Sequence, residues 1–294
     1  MELPLVVGVD GSEAGLRAVD WATDEAALRG VPLRLVYASL WERYEGPALA
    51  EGLGRSWEQV RAEDIVHLAA KRAHRRDVDV KISTDVLPEE PVAALLREGR
   101  NACVLVLGSR GRSGIAELLL GSVALAVAAR ADCPVVVLRG SHDNRAVMGR
   151  GRRIVLGVGG AEPRDSAPVR FAFEEAQERR VPLEAVRAWR CPAYGSSGHP
   201  LVSGEPARLH EQRASEALDA ALRDTAECHP SVQLHRRTAE GSARKVLLDA
   251  SAEADLLVVG ARRRHGQSGL QLGRVAHAVL HHADCPVAVV PHQA

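Results

Sequence analysis

At 294 residues the chain is long enough for two domains of about 150, each able to bury its own core. Its 38 basic and 38 acidic side chains balance, so no extended basic surface of the kind that nucleic acid binding uses is implied. No apolar stretch approaches the roughly 20 residues of a membrane span, and Met1 to Pro4 lacks a basic signal region. The expectation is a soluble, cytoplasmic protein with neither nucleic acid nor membrane as partner. Cysteines 103, 133, 191, 228 and 285 form an odd set without Cys-x-x-Cys, which fits reduced thiols better than a disulfide framework. Cys103, Cys133 and Cys285 lie in or beside apolar runs, where packing is their expected role.

In chain order the first half reads as strand Leu3 to Val9, helix Ser12 to Arg29, strand Leu33 to Ala38 and helix Ser56 to His74. Then follow strand Val78 to Val86, helix Pro91 to Gly99, strand Val104 to Leu107, helix Ser122 to Ala129 and strand Val135 to Leu138. Leu16, Val19 and Ala26 make the buried stripe of the first helix, and Trp21, Trp57 and Trp189 are expected as packing residues. Segments rich in Gly, Pro and Ser, Trp41 to Gly54 and Arg190 to Pro206, read as loops. Alternating strands and helices, with the strands apolar on both faces, predict a parallel sheet wrapped by helices.

The pattern occurs twice. Ala131-Asp132-Cys133-Pro134-Val135 recurs as Ala283-Asp284-Cys285-Pro286-Val287, and Gly108 and Gly121 recur as Gly260 and Gly273, all displaced by 152 positions. Val31-Pro32-Leu33 recurs as Val181-Pro182-Leu183, and Val7-Gly8-Val9 as Leu156-Gly157-Val158, with offsets of 150 and 149. Near-constant offsets mark duplication of a whole domain. The expected division is a first domain over 1–139, a linker over 140–152 and a second domain over 153–294.

After its fourth strand the first half carries Gly108-Ser109-Arg110-Gly111-Arg112, and after nine intervening residues Gly111 is followed by Gly121-Ser122 at a helix start. Glycines admit a polyanion close to the main chain, and the free N–H groups of a helix start complement its charge. A Walker A loop is excluded, since Lys occurs only at 71, 81 and 245. The position after the fourth strand also departs from the dinucleotide fingerprint, which follows the first.

The spacing Gly-x2-Gly-x9-Gly-Ser, ahead of a helix and the strand at Cys133-Pro134-Val135, resembles that of the universal stress protein family. The resemblance covers nearly the whole chain. It implies two tandem Rossmann-like α/β domains, each a five-stranded parallel sheet in the order 3-2-1-4-5 with helices on both faces. It also implies ATP as ligand, with or without magnesium. On this reading Val9 and Asp10 contact the adenosine portion, Ala38 lines the adenine pocket, and Gly108, Gly111, Gly121 and Ser122 hold phosphate, flanked by Ser109 and Val123. Arg112 suits a terminal phosphate and equally a solvated loop. Asp10 has a second reading as a turn aspartate bonding its own backbone. The family's last strands pair across subunits, implying an intrachain pseudo-dimer through Val135 to Leu138 and Val287 to Val290, with homodimerisation of the whole chain left open.

The second half departs from this pattern. Gly159 replaces Asp10, Arg263 replaces Gly111 and Arg274 replaces Ser122. The second crevice is therefore expected to bind ATP weakly or not at all. Arg262, Arg263, Arg264, His265 and Arg274 read as a cationic loop that is most simply a solvated surface. His277 and His281 have a chelating spacing, but without a visible third ligand no metal is expected. No Gly-x-Ser-x-Gly elbow or comparable constellation is present, so no catalytic residue is assigned. The leading reading is an ATP-binding regulatory module of the stress response. A slow ATPase or nucleotidyl-transferring enzyme and a ligand-free assembly protein are the alternatives.

Overall fold

A computed structural model describes residues 2–40, 57–109, 120–139, 153–160, 166–191, 204–263 and 272–293. These divide into two compact units on either side of the Val147–Met148 junction. The proposed linker, Trp41 to Gly54, Gly111, Arg112, Arg264 and His265 lie outside the described residues.

The first unit runs β1 (Leu5–Gly8), α1 (Glu13–Arg29), β2 (Leu33–Ala38), α2 (Trp57–Arg76), β3 (Ile82–Leu87), α3 (Pro91–Gly99), β4 (Val104–Gly108), α4 (Ser122–Arg130) and β5 (Val135–Leu138). All pairings are parallel and give the order β3-β2-β1-β4-β5, with Leu5 opposite both Leu33 and Val104, Leu33 opposite Ile82, and Leu105 opposite Val135. The order reverses between β1 and β4, which opens a crevice at their carboxyl ends. Successive strand residues point to opposite faces, so helices must cover both. Leu107 meets Gly8 beside Leu95 of α3, whereas Gly108 lies against Ala14 of α1.

The second unit repeats this plan with β6 (Ile154–Gly157), α5 (Ala167–Arg179), β7 (Leu183–Trp189), α6 (Gly204–Cys228), β8 (Leu234–Glu240), α7 (Ala243–Ser251), β9 (Leu256–Arg263), α8 (Arg274–His282) and β10 (Val287–Gln293). Its parallel order is β8-β7-β6-β9-β10. Equivalent helices carry equivalent devices. Glu25 and Arg29 pair at 2.5 Å, and Glu175 and Arg179 at 2.9 Å, each glutamate only 1% exposed. Helix α1 ends on Gly30 at φ 68°, a left-handed cap that suits glycine, while α5 ends on Arg180 at φ 54° in the same role. In the first unit α2 is clasped to α1 by Arg72 on Asp20 at 2.7 and 2.5 Å and by Arg76 on Asp24 at 2.8 and 2.7 Å.

Several boundaries differ from the sequence reading for local reasons. Strand β3 starts at Ile82, not Val78, because Asp77 Oδ1 accepts from the Asp79 amide at 3.0 Å and turns the chain first. Trp57 is 77% exposed and so not a packing residue; it stands at the first position of α2, ahead of the buried stripe Ala62, Val66, Ala69 and Ala73. Trp21 is buried as expected, whereas Trp189, Leu16 and Cys103 are half-buried. Helix α6 begins at Gly204, inside the segment read as loop, because Pro206 falls in its first turn, where the missing N–H is no loss. Arg262 and Arg263 belong to β9, opposite His292 and Gln293, not to a loop. Among the described residues no helix is long and apolar enough to cross a membrane.

Candidate functional site

At the reversal point of the first unit lies a cavity of about 310 Å³. Strand ends supply Val9 and Asp10, Ala38, and Leu107 and Gly108; α4 supplies Ser122, Val123 and Ala124 behind Gly121; Pro91 and Leu95 of α3 form an apolar wall. Three chain segments distant in sequence meet there because the parallel register brings the ends of β1, β2 and β4 level.

The α4 end is built for an anion. Gly121 is its cap residue and contributes no side-chain hydrogen bond, while the Leu125 amide bonds the Gly121 carbonyl at 3.1 Å. The amides of Ser122, Val123 and Ala124 are thus the first-turn donors that have no acceptor within the helix, and these residues line the cavity. The Gly121 amide donates to Ser109 O at 2.8 Å, and the Ser109 amide to Leu138 O at 3.2 Å, which ties the helix start to the end of β4. Ser109 is buried and acts through its backbone as this tie; it is not a lining residue.

Gly108 is required by close approach. A Cβ there would stand 2.7 Å from Ala14 C, 2.8 Å from Ala14 O and 2.9 Å from Gly15 N, all main-chain atoms. The glycine lets α1 settle against the end of β4, so its role in the motif is packing as well as access. Asp10 has one oxygen committed locally: Oδ1 accepts from the Ser12 amide at 3.0 Å and from Ser12 Oγ at 2.6 Å, while Ser12 Oγ accepts from the Gly15 amide at 3.0 Å as the α1 cap. The turn reading of Asp10 is therefore realised in the structure, and the same carboxylate lines the cavity.

Val9, Asp10, Ala38, Gly108, Gly121, Ser122 and Val123 are thus brought together. Sequence reasoning missed the lining residues Gly8, Gly15, Val36, Pro91, Leu95, Leu107 and Ala124. Proline at the first turn of α3 was a visible helix signal, but the side on which that helix would pack was not.

The corresponding place in the second unit is different. Arg187, at the position of Tyr37 in the repeat, donates from Nη1 to the carbonyl of Gly159, and to that of Gly160 at 3.1 Å. Helix α5 has 13 residues where α1 has 17, and it starts at Ala167 behind Ser166. The helix has lost its first turn. Gly260 consequently faces the His292 ring and Pro168 Cγ, at 2.8 and 3.0 Å from a would-be Cβ, where Gly108 faces main chain. The Ser166-Ala167-Pro168 start signal could have revealed the shift. Gly273 does cap α8 as Gly121 caps α4, but the residue that follows is Arg274. His277 and His281 have ring centroids 4.5 Å apart, and no group of metal-ligating side chains gathers among the described residues.

A family model described as the universal stress protein family matches residues 3–139 and again 151–291. The chain belongs to the universal stress protein family. It is 33% identical over 297 residues to a universal stress protein of Mycobacterium bovis, covering 97% of this chain and 96% of that one. A universal stress protein of Mycobacterium tuberculosis is 32% identical, covering 98% and 96%. Among solved structures, a universal stress protein from Archaeoglobus fulgidus is similar with a TM-score of 0.68 at 17% identity, covering 98% of both chains. A protein from Pseudomonas aeruginosa described as functionally unknown gives a TM-score of 0.63 at 15% identity, covering 98% of this chain and 92% of that one. The tandem universal stress protein architecture therefore extends over nearly the whole chain.

Proposed function

We propose that the first unit binds ATP and that the protein acts as a nucleotide-dependent regulator of the stress response. One observation carries the reading: the uncapped first turn of α4, the bare main chain at Gly108 and the Asp10 carboxylate border one cavity. Its volume of about 310 Å³ lies at the lower end of the ~300–1,000 Å³ typical of ligand pockets. That suits a base and ribose, with the phosphates running outward past Ser122 and Val123. The donors there favour negative charge through both hydrogen bonds and the helix dipole. The apolar wall of Pro91 and Leu95 suits a base face, and Asp10 can accept from ribose hydroxyls or an exocyclic amine while Oδ1 keeps its turn.

The second crevice is proposed to be closed to nucleotide. Arg187 bonds the carbonyls at its mouth, and Gly159 supplies no carboxylate. Mass spectrometry of small molecules released from freshly purified protein tests the reading: adenine nucleotide is expected at no more than one per chain. Its absence, together with no ATP binding by the nucleotide-free protein, overturns the reading. Phosphate release that continues unchanged in Asp10→Ala is not chemistry of this site.

A further inference from the structure

We infer that the two units carry ion-pair triads of opposite polarity, and that this reversal keeps the duplicated halves from exchanging strands as they fold. In the first unit the centre is a cation. Arg34 of β2 pairs with Asp85 of β3 and with Glu98 of α3, its Nε lying 2.8 Å from Glu98 Oε2. In the second unit the centre is an anion. Glu184 of β7 pairs with Arg237 of β8 at 2.6 Å and with Arg153, the residue ahead of β6, at 3.1 Å.

The positions correspond residue by residue. Leu33 stands opposite Ile82 and Leu183 opposite Leu234, so Arg34 matches Glu184 and Asp85 matches Arg237. Both cross-strand pairs are diagonal, since Arg34 is level with Ser83 and Glu184 with His235. The third member comes from a different element in each unit. Glu98 is the penultimate residue of α3, where α7 has Ala250. Arg153 precedes β6 where Pro4 precedes β1. The sign is thus reversed at the centre and at its cross-strand partner, and the third charge is moved so that each set still attracts internally.

Exchange undoes both sets. By apolar pattern β2 and β7 suit the same slot, with Leu33, Leu35 and Val36 matched by Leu183, Ala185 and Val186. With β7 in the first unit, Glu184 meets Asp85 and Glu98, which gathers three carboxylates. With β2 in the second, Arg34 meets Arg237 and Arg153, which gathers three guanidinium groups. Glu184 is buried and Arg34 half-buried, so water screens either cluster incompletely. The outer ions that also touch the triads, Arg97 on Glu98 and Glu253 on Arg153, are 46% and 72% exposed, and water screens their pull more strongly. Attraction to the right partner and repulsion from the wrong one both add to discrimination, and strand exchange between similar halves is a characteristic failure of duplicated folds.

The test uses the full chain and three variants, each unfolded in denaturant, returned to buffer at micromolar concentration and analysed by native mass spectrometry. Arg34→Glu with Asp85→Arg and Glu98→Arg gives both units an anionic centre. Glu184→Arg with Arg237→Glu and Arg153→Glu gives both a cationic centre. Each triple variant keeps attraction within its units and loses the difference between them. Recovery of the species present before unfolding should fall roughly threefold or more in each, with exchanged dimers and larger species making up the remainder. Combining all six substitutions restores opposite polarity and should return recovery towards that of the unmodified chain. This rescue separates polarity from damage, because substitutions that merely harmed packing would be worse in combination. The inference is overturned if either triple variant refolds as fully as the unmodified chain, or if the combined variant recovers no better than the triple variants.

Discussion

The two crevices of this chain grew from one plan, and they differ in what fills the space beyond the strand ends. In the first, α1 starts one turn nearer the crevice, its capping network holds Asp10 at the cavity edge, and α4 starts behind Gly121, which brings no capping side chain. In the second, the helix start has receded, the aspartate is a glycine, and Arg187 donates to the carbonyls that remain. If the second crevice is closed to nucleotide as proposed, a binding site is lost while the strand order is kept. The register of β6 against β7 and β9 repeats that of β1 against β2 and β4, while β9 and β10 run to 8 and 7 residues where β4 and β5 have 5 and 4.

The sharpest way to break the comparison is at the paired glycines. Gly108→Ala drives a Cβ into the main chain of α1 and should destabilise the first unit by about 1–3 kcal/mol, with nucleotide binding lost as well. Gly260→Ala meets the His292 ring and Pro168, side-chain atoms that can shift. It should cost less than its counterpart, and denaturant unfolding of the two variants measures the difference.

Asp10→Ala comes next. Removing an acceptor of charge-assisted bonds costs about 1.5–3 kcal/mol, so ATP affinity by calorimetry should fall roughly 10- to 100-fold. Part of the loss in stability will come from the Ser12 turn, and Ser12→Ala reports that part alone at about 1 kcal/mol. If Asp10→Ala binds ATP as well as the unmodified protein, the carboxylate is a turn residue only.

A gain of function is expected to be harder than a loss. Arg187→Ala with Gly159→Asp removes the cation from the second crevice and supplies the acceptor, but the missing helix turn stays missing. Only weak ATP binding should appear, at least tenfold below that of the first unit, and Arg187→Ala alone should show none there. The smallest effect belongs to Gly273→Ala, where nothing lies within 4 Å of a Cβ; its stability should change by less than about 0.5 kcal/mol.

The sequence made the fold legible because buried parallel strands read as apolar runs and because the duplication displayed each element twice. The site was legible where one segment carries it, as with Gly108, Gly121 and Ser122, or where a strand end meets the reversal point, as with Asp10 and Ala38. It was illegible where a contact crosses elements. The apolar wall of Pro91 and Leu95 depends on which face of the sheet α3 covers, and Arg187 acts on a loop 28 residues earlier through a neighbouring strand. Trp57 shows the same limit on the surface: its residue type favours burial, but its place at the head of α2 leaves it exposed.

The central claim is one nucleotide site per chain, in the first unit. Isothermal titration of nucleotide-free protein with ATP tests it directly. The account predicts a single site whose heat collapses in Asp10→Ala and persists in Arg187→Ala, whereas two equal sites per chain, or one that ignores Asp10, would contradict it.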